Sequence, residues 1–84
     1  MENTRTANRL PPGTVGKILE LRHAGPMHRR LMELGLFPGQ CIRRSYTAPA
    51  GSPIAFETQG TVVALRARDA KSILVQELDP LWTP

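Results

Sequence analysis

The chain has 84 residues, 40% of them hydrophobic and 21% charged, with a net charge of +4 and a pI near 10.2. One domain is the ceiling at this length, and a domain so small buries only about 60% of its unfolded surface, leaving little room for an enclosed active site. The composition excludes a disordered chain, no apolar run nears the ~20 residues of a membrane span, and the lone cysteine, Cys41, excludes an internal disulfide.

Residues 1–9 are polar and aperiodic, and read as a mobile tail with no apolar stretch of the kind a secretory signal carries. Together with the single cysteine this points to a reducing, cytosolic compartment. Leu10-Pro11-Pro12-Gly13 is an entry turn, and Thr14–Leu21 reads as a first strand. Its alternation is imperfect: Val15, Leu19 and Leu21 share one face while Ile18 falls on the other, so Gly16 is the expected bulge.

The clearest element is the helix in GPMHRRLMELGLFPG, residues 25–39. Pro26 suits the first helical position and Gly35 the left-handed residue past the end. Met27, Leu31 and Leu34 form an apolar stripe at i, i+4 and i+7, with Met32 at its border. His28, Arg29, Arg30 and Glu33 occupy the remaining surface. Leu36 is expected to fold back onto Leu31.

A second strand follows over Gln40–Tyr46, with Ile42 and Tyr46 on one side and Arg44 between them. Residues 48–53 (APAGSP) are a loop. Ile54–Gln59 alternates well, placing Ile54, Phe56 and Thr58 inward, and Gly60 turns the chain. Thr61–Arg66 is apolar on both faces and reads as a central strand. Residues 68–72 form a polar turn, and Ile73–Leu78 is the closing strand, with Ile73 and Val75 inward. Pro80 and Pro84 keep the tail, residues 79–84, out of the sheet. Residues 10–78 are thus one mainly β domain: about five short strands in a small bent barrel, with one helix after the first strand.

Catalytic chemistry finds little support. Cys41 has only His23 and His28 as conceivable bases, and neither stands in a recognisable arrangement with it; free cysteines are usually small buried hydrophobes. The same three residues are weak metal candidates, because His23 and His28 are separated by Gly25-Pro26 and no CxxC, HxxxH or HExxH spacing occurs. No phosphate-binding glycine loop is present. Five arginines (22, 29, 30, 43 and 44) against Glu33 make a basic face conceivable, but aromatic platforms for bases are few, so nucleic acid ranks behind a protein partner. Met27, Arg29, Arg30, Met32, Leu36, Phe37 and Arg44 combine an apolar centre with an arginine rim, the composition by which interfaces differ from other surface. Trp82, in the tail, is a candidate anchor onto the barrel or onto a second copy.

The runs RLMELGLFPG (30–39), APAGSPIAF (48–56), GTVVALRARDA (60–70) and ILV (73–75) resemble the FeoA family, over residues 10–78. The resemblance implies an SH3-like barrel. It also implies a non-enzymatic cytosolic accessory of ferrous iron uptake, without cofactor, that docks on a FeoB-type transporter and regulates or assembles it. Two positions depart from the family pattern: Ser52 stands where Asp commonly precedes the proline, and Arg44 stands where an aliphatic residue is usual. The same barrel closes DtxR-like repressors, whose helix-turn-helix and metal-binding domains have no room in 84 residues. A standalone chain therefore favours FeoA, with a metal-responsive or nucleic-acid-binding small barrel as the alternative.

Overall fold

The structure, a computed structural model, describes residues 3–78. Six antiparallel strands form one sheet: β1 (Thr4–Thr6), β2 (Val15–Leu21), β3 (Cys41–Thr47), β4 (Ile54–Thr58), β5 (Thr61–Leu65) and β6 (Ile73–Glu77), in the order β1-β6-β2-β3-β4-β5. Helix α1 (Gly25–Glu33) links β2 to β3, and the single helical turn α2 (Ala67–Ala70) links β5 to β6. The sheet curls around a core built on Phe56, Leu10, Ile18, Leu31, Leu36 and Ile42.

The expected mainly β barrel with one short helix after a strand is present, with one strand more than expected. The tail reading of residues 1–9 fails from Thr4 onward. Strand β1 pairs with β6, Arg5 forms an ion pair with Glu77 at 3.1 Å, and Ala7–Arg9 form a 3-10 turn. What orders this segment is two apolar residues just beyond the strand, Ala7 and Leu10, which are fully buried.

Helix α1 ends as its sequence dictates. Gly35 takes φ 92°, its N–H donates to the Met32 carbonyl at 3.1 Å, and the Leu36 N–H donates to the Leu31 carbonyl at 2.9 Å. This paired closure brings Leu36 beside Leu31, and both are wholly buried. Leu34 consequently leaves the stripe assigned to it and is 39% exposed, because Leu36 fills the core position after the chain reverses.

The first strand's faulty alternation has its cause at Leu19. A register shift between Ile18 and Glu20 against β6 turns Ile18 and Leu21 to the core and Leu19 outward. Gly16 is therefore not the bulge; a Cβ there would lie 3.1 Å from a Leu10 methyl. A second shift, between Arg44 and Tyr46 against β4, points Tyr46 to solvent rather than alongside the buried Ile42.

Ile54, Phe56 and Thr58 are buried as expected. Gln59 and Gly60, at φ 51° and 76°, make a two-residue turn with both central residues left-handed, the form that matches hairpin twist. Strand β5 is not central: it is the last strand of the sheet, and Val62 is 62% exposed. Two-sided apolarity here marks an uncovered edge. Ser52, the departure noted above, accepts the Ala67 N–H on its hydroxyl at 3.0 Å and so tethers the 48–53 loop to the start of α2.

Candidate functional site

The residues expected to meet a partner separate into three groups. Leu36 is withdrawn from the surface: it is fully buried, so no partner reaches it while the helix end stays closed. Arg44 is committed internally. Its Nη1 donates to the carbonyls of Asn8 at 3.0 Å and Leu10 at 2.8 Å, and its Nε and Nη2 donate to Thr47 Oγ1 at 3.2 and 2.8 Å. The guanidinium fork thus satisfies carbonyls that an aliphatic side chain at this position would leave bare. Trp82 lies outside the described residues.

The remaining residues lie on or beside α1. Arg29, Arg30 and Met32 are exposed, whereas Met27 and Phe37 are half-buried and Met27 packs against the core. The basic face is smaller than the arginine count suggests. Arg22 pairs with Glu20 at 3.5 Å, Arg43 sits 3.9 Å from Glu57, and Arg44 is taken inward. Arg29 and Arg30 have no carboxylate within ion-pair distance among the described residues.

One groove borders this face and a second lies away from it. One runs between α1 and β5, lined by Met27, Arg30 and Leu34 on the helix side and by every residue from Thr61 to Arg66 on the other, with Asp69 at its end. The second lies on the outer side of the sheet among Val15, Cys41, Arg43, Glu57 and Val62. Leu34, Val62 and Arg66 were not anticipated here. The apolar spacing places Leu34 in the core stripe and two-sided apolarity places Val62 in a covered strand; the usable signal is Gly35, which sets Leu34 at the helix cap rather than within the stripe.

His23, His28 and Cys41 are each half-buried, on the link before α1, on α1 and at the start of β3. Among the described residues no three His, Cys, Asp or Glu side chains converge on one point, so the geometry does not assemble these candidates into a ligand set. No helix of the described residues is long and apolar enough to cross a membrane.

The FeoA domain model matches residues 5–77. The chain belongs to the FeoA family. That match begins inside the segment read as a tail, in agreement with the strand found there. Among solved structures, the iron(II) transport protein A of Clostridium thermocellum is 33% identical, with a TM-score of 0.83 over 87% of this chain. This chain spans only 45% of that protein. A Stenotrophomonas maltophilia FeoA, described as a prokaryotic SH3 domain protein complexed with zinc, is 32% identical, with a TM-score of 0.74 over 84% of this chain and 88% of its own. A manganese-dependent transcriptional repressor shares the fold alone, at 21% identity and a TM-score of 0.79, over 89% of this chain and 42% of its own. No curated protein matches the sequence. FeoA membership and the SH3-like barrel thus agree with the reading of the sequence motifs.

Proposed function

We propose that this FeoA-family chain is a non-enzymatic, cytosolic accessory of ferrous iron uptake that docks on a FeoB-type transporter through the exposed side of α1. The observation that carries the reading is the family match over nearly the whole described domain. It is supported by the Stenotrophomonas relative, which is described as a candidate activating factor of bacterial ferrous iron transport. Arg29 and Arg30, exposed and without carboxylate partners among the described residues, supply the charge of an interface rim, and Met27, Met32 and Leu34 supply apolar surface. Regulation then requires only that docking favours one state of the transporter over another, since a ligand shifts an equilibrium by its differential affinity.

The test is co-purification with the separated cytosolic part of such a transporter, with and without guanine nucleotide. Arg29→Glu combined with Arg30→Glu is expected to weaken binding by about tenfold or more. The urea unfolding midpoint should stay within the scatter of surface substitutions. A silent arginine pair moves the interface off α1. Calorimetric titration with Fe²⁺ or Zn²⁺ addresses the metal-responsive alternative: tight stoichiometric binding lost on changing His23, His28 or Cys41 would favour it over docking alone.

A further inference from the structure

Among the described residues, strand β5 has an open side. The two-residue turn makes Thr58 and Thr61 a hydrogen-bonded pair, and the register Phe56↔Val63 and Ile54↔Leu65 continues that set. Thr61, Val63 and Leu65 therefore direct their backbone groups to β4, while Val62 and Ala64 direct their N–H and C=O away from it. No hydrogen bond among the described residues reaches that side from outside the β4–β5 pair. Consecutive residues 61–66, inward and outward alike, line the groove beside α1, which places it along the strand's edge.

Edge strands are usually shortened, charged or interrupted, because a bare edge templates another strand. The opposite edge obeys this: β1 has three residues, with a charged Arg5 at its centre. Strand β5 reads TVVAL, without charge or proline. Its groove is walled by Met27 and Leu34 and carries Arg30 and Arg66 against the one acid Asp69. Neither arginine is in an ion pair among the described residues.

We infer that β5 is a strand-addition site that takes an extended partner segment of alternating apolar and acidic residues as a seventh strand in the groove between β5 and α1. The segment's backbone pairs with Val62 and Ala64, its apolar residues meet Met27 and Leu34, and its carboxylates meet Arg30 and Arg66. At 3.4 Å per residue, five to seven residues, about 17–24 Å, cover the strand. The excess positive charge favours an acidic segment over a second copy of this basic chain. The inference rests on the docking reading above and specifies how docking occurs.

The test uses the intact protein and the end-capped peptide EVEVEV, with KVKVKV as control. At about ten times the dissociation constant, EVEVEV should slow amide exchange at Val62 and Ala64 roughly tenfold. Val62→Pro removes one outward N–H at an edge position that tolerates proline, and should weaken EVEVEV binding by about tenfold or more. Should that variant fail to fold, Arg30→Glu with Arg66→Glu should reverse the preference toward KVKVKV. Protection elsewhere, or unchanged binding by folded Val62→Pro and by the double charge variant, overturns the inference. So does a dimer of the wild type that Val62→Pro converts to monomer, since the edge is then filled by a second copy. Co-purification with the transporter's cytosolic part that survives in Val62→Pro overturns strand addition and leaves docking standing. Wild-type protein that binds EVEVEV at β5 but fails to co-purify keeps the strand-addition site and overturns the docking reading.

Discussion

Replacing Leu31 by alanine is expected to lower the unfolding free energy by about 2–5 kcal/mol, the range for a buried leucine whose cavity cannot fully collapse. Leu31 is wholly buried. Its carbonyl also accepts the N–H of Leu36, so the cavity opens against one of the two hydrogen bonds that close the helix end. At ~0.05–0.15 kcal/mol per residue, 84 residues hold about 4–13 kcal/mol in total, so the loss would be a large share of stability. Urea denaturation reads it directly. Met32→Ala, next in sequence but exposed, should shift the same curve by about 0.5 kcal/mol or less. Comparable losses at the two positions would mean that the helix end is not packed as described.

The second large effect is expected at Arg44. Arg44→Ala removes four side-chain hydrogen bonds, two of them to the carbonyls of Asn8 and Leu10. Bonds to a charged donor contribute about 1.5–3 kcal/mol, and stranding a buried acceptor costs about 1–3 kcal/mol. Because the acceptors belong to the segment behind β1, the damage should be local first. Exchange protection at the β1–β6 pairs should fall by about tenfold or more, ahead of that at β4 and β5. Arg44→Lys should restore little, since an ammonium lacks the fork that reaches Thr47 and the two carbonyls together. A uniform loss of protection across the sheet would instead make Arg44 part of the general core.

These two residues also show what the chain discloses before folding. Leu31 was legible because helix signals are local: Pro26 and Gly35 bracket the element, and the apolar spacing runs between them. The same holds for Ile54, Phe56 and Thr58, whose strict alternation survives in β4. Arg44 was not legible, because its acceptors lie 34 and 36 residues away. Strand β1 was missed because three polar residues carry no period, and its order comes from pairing with β6 near the other end of the sequence. Leu19 and Tyr46 were misplaced because one inserted residue reverses the parity of everything after it. Strand β5 was misplaced for a different reason. Apolarity on both faces normally means cover on both faces, whereas Val62 is a bare apolar residue beside a bare backbone edge. The arginine-rimmed helix face was readable from composition, but its extension to Leu34, Val62 and Arg66 depends on how the strands are ordered.

That ordering also bears on how the barrel is made. Strand β6 lies between β1 and β2, so it joins two elements that emerge from the ribosome some 55–70 residues before it. Strands β2 to β5 form ladders with sequence neighbours and can assemble as soon as they are synthesised. The edge of β2 that faces β6, however, has no hydrogen-bonding partner until residues 73–77 are available. The nascent domain is thus a half-zipped sheet with an open backbone edge, and β6 acts as the fastener. Closure over so long a sequence separation is slow relative to helix or hairpin formation. The vulnerable interval for this domain is the one before residues 73–77 are available, when β2 to β5 are paired and β1 and β6 are not.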